Sequence, residues 1–231
     1  MIMKKLSVPM KTYEKVLGWV YYAIQMLILP DIIAFVLGLL GLNPDILDIN
    51  VAYFALNFAV ITVVFHDFLW KSLQKAFSAF PRCLATAGIG MGAYQAMNVA
   101  IMLHILLIYP EYANLNNENI NTMLTDNYLI MVIGTVLFVP VAEEVVFRGL
   151  IFRGIYNRSK VLAYIVSSLA FSAVHVIGYI PNMEILHIIL SLIQYLPAGL
   201  VLGWTYARTD TIWTPILMHT TINLIGMFAM I

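Results

Sequence analysis

Two adjacent carboxylates and an arginine, Glu143, Glu144 and Arg148, sit inside Val139–Gly149, part of an apolar run that begins near Tyr128. Holding a charged side chain at the centre of a membrane helix costs about 2.5–3.5 kcal/mol on insertion scales, so such groups are retained for a reason. On a helix Glu144 and Arg148 are i and i+4 with the acid N-terminal, the arrangement that pairs on one face. Glu143 points about 100° away and cannot share that contact equally. The spacing predicts one acid held by the arginine and one left free for other work. A purely structural intramembrane salt bridge is the competing reading.

Two further polar patterns occur in later apolar runs. Phe171-Ser-Ala-Val-His175 sets an aromatic ring and an imidazole one turn apart, and His219-Thr-Thr-Ile-Asn223 does the same for an imidazole and an amide. A single buried histidine equally well bonds a neighbouring serine or a backbone carbonyl. Pro215 lies just before His219 and is expected to open the helix near it.

The elements that must position these groups follow from composition. The 231 residues are 62% hydrophobic and 10% charged, with a mean hydropathy of +0.90. This describes an all-α, polytopic transmembrane helical bundle, a multi-pass integral protein of the cell membrane. A formal net charge of zero gives no general attraction to nucleic acid. One cysteine, Cys83, excludes an intramolecular disulfide framework. No cleavable signal peptide is expected, since the first apolar run is too long for one.

Apolar runs of about 20 residues place seven helices near 17–39, 50–70, 83–109, 128–150, 161–180, 185–207 and 212–230. All twelve basic residues then fall towards one membrane face: Lys4, Lys5, Lys11, Lys15, Lys71, Lys75, Arg82, Arg148, Arg153, Arg158, Lys160 and Arg208. The opposite loops carry Asp45, Asp48, Glu111, Glu118, Asp126 and Glu184 and no Lys or Arg. The positive-inside rule then sets the N-terminus in the cytoplasm.

Residues 1–125 read as scaffold and 126–231 as a four-helix catalytic core within one membrane domain. Asp31 after Pro30 marks a kink in the first run. His66–Asp67 reads as an interfacial pair, and Lys71–Arg82 as a short helix on the inner surface. Gly88 and Gly92 present a small-xxx-small face. His104 and His187 read as interfacial, and Tyr109–Asn127 as a long polar outer loop. At 1.5 Å per residue Glu143, His175 and His219 lie roughly 15, 20 and 10 Å from the cytoplasmic ends of their helices, compatible with one cluster between the cytoplasmic half and the midplane.

Glu143-Glu144-x-x-x-Arg148, Phe171-x-x-x-His175 and His219-x-x-x-Asn223, in this order on successive membrane helices, resemble the CPBP family. That family comprises CAAX prenyl proteases of the Rce1 type and the bacteriocin-processing or self-immunity proteins often labelled Abi. The resemblance covers about 125–230. It implies an intramembrane endopeptidase acting on a membrane-associated peptide or protein within the bilayer, in peptide maturation or self-immunity.

On that reading Glu143 is the base, with His175 helping to hold the water. His219 and Asn223 donate to the oxyanion, and Arg148 neutralises and orients Glu144. No cofactor is favoured. Zinc is the alternative, held by Glu143, His175 and His219, although no His-Glu-x-x-His motif is present. A proton-coupled transporter and a catalytically silent, peptide-binding immunity protein are the non-enzyme readings.

Overall fold

The structure is a computed structural model that describes residues 5–229, apart from the side chains of Thr125, Asp126 and Asn182. Lys4 and the Asp126 carboxylate, both used in the charge argument, lie outside the described residues. Among the described residues all regular secondary structure is helical. Its elements are α1 (Thr12–Leu27), α2 (Leu29–Leu39), α3 (Ile46–Val64), α4 (His66–Ser78), α5 (Phe80–Ile108), α6 (Leu115–Val132), α7 (Val139–Glu144), α8 (Arg153–Tyr156), α9 (Lys160–Val174), α10 (Ile185–Thr209) and α11 (Trp213–Phe228). Two π-helical segments, Ile133–Phe138 and Val145–Phe152, flank α7, so that Asn127–Tyr156 runs as one long rod. A 3-10 segment, Ile177–Asn182, follows α9.

Among the described residues four helices are long and apolar enough to cross a bilayer, α3, α5, the Asn127–Tyr156 rod and α10, and α1 with α2 makes a fifth if the bent pair is one span. That pair bends by 72°. Pro30 has no N–H for the carbonyl of Met26 and its ring crowds that turn, so α1 stops and α2 restarts with Pro30 in its first turn. The other two expected spans, α9 and α11, are helices of 15 and 16 residues. These rise about 22–24 Å, less than the ~30 Å hydrocarbon thickness.

The expected outer loop Tyr109–Asn127 is instead largely helical. Asn114 caps α6 by accepting from the Asn117 N–H, and polar residues form a stable first turn once capped. The helix breaks at Asn127, whose φ of −150° and ψ of 68° are non-helical. Lys71–Arg82 is not one short helix but runs from α4 into the first turn of α5; α4 buries Phe68, Leu69, Ser72 and Ala76 on one face and exposes Trp70 and Phe77.

The basic segments gather at one end of the bundle. The N-terminal strap crosses beneath the helices there: Leu6 and Asn157 exchange backbone–amide hydrogen bonds, Arg153 donates to the Val8 carbonyl, and Lys11 pairs with Asp67. Asp210, in the left-handed conformation that closes α10 (φ 54°), accepts from Ser7 and Lys75. Arg148 departs from the expected single basic face, being fully buried in the core.

One core unites the N-terminal helices with the rest. Leu6, Val8, Ile61, Phe65 and Phe68 pack with Val145, Phe147, Phe152, Phe171, Leu202 and Met218. Helix α10 lies against both α9 and α5. The close approach to α5 is made by Gly90, where a Cβ would meet Thr205 at 2.8 Å and Met218 at 2.9 Å. Gly88 and Gly92, the expected contact face, have nothing within 4 Å, since two residues on a helix point about 200° apart.

Candidate active site

The site forms where the rod, α9 and α11 converge. Pro140 dictates the local backbone. Just before it, the Val139 N–H bonds the Gly134 carbonyl five residues back, so the next bond in this π register would run from residue 140 to the Thr135 carbonyl. Proline has no N–H, and a carbonyl buried in hydrocarbon must find another donor. Asn223 supplies it, its Nδ2 donating to Thr135 O at 2.8 Å. The amide expected to face an oxyanion is thus committed, through one of its hydrogens, to holding α11 against the π turn. Breaks of this kind recur at functional sites.

Beyond that turn α7 ends in the two carboxylates. Arg148 Nη1 donates to Glu144 Oε1 at 2.9 Å with both side chains fully buried. Arg148 Nη2 lies 3.3 Å from the Gly199 carbonyl of α10. The guanidinium also sits 4.5 Å from the centre of the Phe171 ring, a cation–π contact that strengthens away from water. The same Glu144 oxygen meets His219 Nδ1 at 2.8 Å. Glu144, Arg148 and His219 are therefore joined through one carboxylate oxygen, while Glu144 Oε2 and Arg148 Nε have no hydrogen-bond partner.

Glu143 faces elsewhere. Its Oε2 accepts no hydrogen bond and lies 3.9 Å from both His175 Nε2 and His219 Nε2. One water can bridge such a separation with normal hydrogen bonds to both sides. His175 is not deep within a helix as expected. It stands at the C-terminal end of α9, and its Nδ1 bonds the Phe171 carbonyl at 2.8 Å. An ended helix leaves its last carbonyls without backbone donors, and the imidazole takes one of them. Since a carbonyl only accepts, Nδ1 carries the proton and Nε2 is the acceptor of the neutral ring. Tyr195 stacks on this imidazole at 4.4 Å, and Phe171 touches both histidines, at 4.7 and 5.6 Å.

These groups floor a cavity of about 790 Å³ that Tyr22, Gln25, Tyr53, Asn57, Tyr195, Glu143, His175, His219 and Asn223 help to line. The lining continues to Asp31, Asn50 and the Asn114–Asn119 turn, at the end of the bundle opposite the basic residues. Beyond His175, where α9 stops, irregular backbone and polar side chains line the cavity, as they can at membrane depth. Tyr195, Gln25 and Asn57 carried no motif, and only their placement around the cavity marks them.

The donor types suit zinc, and both imidazoles present Nε2 towards Glu143. Among the described residues, however, no three His, Cys, Asp or Glu side chains are grouped closely enough to hold one ion.

Residues 125–225 match the family described as type II CAAX prenyl endopeptidase Rce1-like. The chain is similar to the "Putative membrane peptidase YdiL" of Bacillus subtilis (strain 168), with 32% identity over 95 residues, 41% of this chain and 34% of that protein. It is also similar to the "UPF0177 protein YxdF" of Lactococcus lactis subsp. lactis (strain IL1403), with 30% identity over 90 residues, 39% of this chain and 44% of that one. The similarity thus spans less than half of either relative. No solved structure matches the chain. All three motifs fall within the matched segment, so the second half of this multi-pass membrane protein is similar to the Rce1-like family.

Proposed function

We propose that this chain is an intramembrane endopeptidase that hydrolyses peptide bonds of a membrane-associated substrate by a metal-independent glutamic mechanism. The observation that carries the reading is Glu143 Oε2, free of hydrogen bonds at the floor of a cavity and 3.9 Å from two imidazole nitrogens. A water there bonds Glu143 and His175 Nε2. As its oxygen attacks the scissile carbonyl carbon, its proton passes to Glu143. The C–N bond then breaks, and Glu143 returns the proton to the leaving amine.

His219 is the donor to the tetrahedral oxyanion. With Nδ1 donating to Glu144, its Nε2 donates only when the ring carries both protons. The role therefore requires the imidazolium. Two carboxylates, Arg148 and that imidazolium sum to zero charge, the arrangement a buried cluster favours. Asn223 contributes by fixing α11, which sets the position of His219. Peptide maturation or self-immunity is the setting we assign.

Purified protein in liposomes, incubated with a panel of membrane peptides and analysed by mass spectrometry, tests the reading. Cleavage that disappears in Glu143→Gln is expected. Peptides that bind to the unmodified protein and remain whole would identify a binding protein instead.

A further inference from the structure

Apart from the His219 imidazolium at its floor, the cavity walls carry charge of one sign. Among the residues that line it, Asp31 and Glu143 are acidic and none is Lys or Arg. Its lining reaches the first turns of α2, α3 and α6. Exposed Asp45, Asp48, Glu111 and Glu118 stand in or beside those turns. The described Lys and Arg residues lie at the far end or, as Arg148, inside the core. A cleft with low-dielectric walls and charge of one sign focuses its field outwards and draws in the opposite charge.

A second observation concerns the ligand itself. Gln25 is 8% exposed and lines the same cavity, yet its Oε1 accepts no hydrogen bond, while its Nε2 donates to the Tyr53 hydroxyl at 3.2 Å. A buried acceptor without a donor is unfavourable and is satisfied by an N–H brought in from outside. A peptide backbone amide, a lysine or an arginine carries that group. A free C-terminal carboxylate does not, and it meets no Lys or Arg on the cavity wall.

We propose that the peptide taken by this site is cationic close to its scissile bond, is read internally rather than by a free C-terminal carboxylate, and enters from the acid-bearing end of the bundle. This rests on the cavity being a peptide site, as proposed above. Asp31 would meet the basic side chain, Gln25 an N–H, and the exposed rim acids would raise the encounter rate.

The test uses the full chain in phosphatidylcholine liposomes, whose neutral surface adds no charge bias. Three peptides share one core and have amidated ends, with flanks of lysine, glutamine or glutamate. Cleavage is followed with the unmodified protein, and binding by fluorescence anisotropy with Glu143→Gln. In both readouts the order lysine, glutamine, glutamate is expected, with a spread of about tenfold or more at low salt. High salt should compress it as the Debye length falls well below the ~8 Å of physiological conditions. Asp31→Asn should narrow it too, and the salt series on unmodified protein decides the matter should that variant not fold. Equal handling of the three peptides, or preference for glutamate flanks, overturns the proposal even if all are cleaved. Ordered binding without any cleavage sustains it and removes the protease reading.

Discussion

His219 reaches across 75 positions of sequence to set its Nδ1 2.8 Å from Glu144 Oε1. Arg148 reaches the same oxygen from one helical turn away, at 2.9 Å. One carboxylate thus fixes both the guanidinium that neutralises it and the imidazole that faces the cavity. Its neighbour Glu143 is left without a hydrogen bond on Oε2.

From this difference the two carboxylates should respond differently to the same substitution. Glu144→Gln leaves Arg148 buried with a neutral partner, and breaking a buried pair typically costs about 3–5 kcal/mol. Glu143→Gln removes no hydrogen bond from Oε2 and should fold normally, while losing the group that accepts the proton of water. Thermal unfolding in detergent and turnover, measured together, should show Glu144→Gln failing in both and Glu143→Gln in turnover alone. Wild-type turnover by Glu143→Gln would exclude it as the base.

Asn223 and Pro140 should be coupled. With proline at 140, Asn223→Ala strands the Thr135 carbonyl, which on general grounds costs about 1–3 kcal/mol. Pro140→Ala restores a backbone N–H in the π register, so Asn223→Ala should cost less in that background. A double-mutant cycle on unfolding free energy measures the difference. Additive effects would mean that the amide and the missing N–H do not share the carbonyl.

Helix α10 should tolerate no side chain at Gly199. A Cβ there would lie 2.8 Å from the Cα of Ser168 in α9, a backbone atom that cannot step aside. Gly199→Ala is expected to destabilise by about 1–3 kcal/mol and to lower activity, since Arg148 is also held by the Gly199 carbonyl. Gly88→Ala, with nothing within 4 Å, should be neutral or stabilising by up to about 1 kcal/mol. Melting temperatures of the two variants give the comparison.

The contrast between these glycines shows what the sequence could convey. Buried charge in an apolar run is expensive, so Glu143, Glu144 and Arg148 stood out, and i,i+4 spacing paired the correct acid with the arginine. Helical periodicity likewise set His219 and Asn223 on one stripe. What spacing could not supply was the partner on another helix. Asn223 faces a carbonyl that is open only because the backbone around Pro140 runs in the π register, and α-helical reasoning does not generate that register. The end of α9 at His175 was missed for a related reason. Hydrophobicity continues through Val176 and Ile177, and composition records burial in lipid whether the backbone is an α-helix or a 3-10 turn. Gly90 was passed over for Gly88 and Gly92 because a motif gives spacing without rotation about the helix.

Orientation in the membrane follows from the end on which the basic residues gather. Single cysteines introduced on a Cys83→Ala background should label from the cytoplasmic side at Asn157, beside the basic strap, and from the external side at Asn117, in the turn lining the cavity. That result would open the site to the outside. External labelling at Asn157 would reverse the orientation and turn the cavity towards the cytoplasm.

Metal dependence separates the two chemistries available to Glu143, His175 and His219. If Glu143 and His175 act on water unaided, activity should survive exhaustive chelation, and elemental analysis should find far less than one metal ion per chain. A zinc enzyme loses activity with a strong chelator and regains it with zinc, because its water depends on the metal for its reactivity. Slow release from a buried site can imitate resistance, so chelation and metal content must be measured on the same sample. His219 supplies the second criterion. As an oxyanion donor, its replacement by alanine should lower turnover by about 10²–10³ and leave a measurable remainder. Because its Nδ1 is engaged by Glu144, the same variant should also destabilise the fold, which unfolding measurements separate from the kinetic loss. As a ligand, His219 would take the metal with it when removed. Stoichiometric zinc in the purified protein that disappears in His219→Ala would therefore defeat the metal-independent mechanism and leave the peptidase assignment standing.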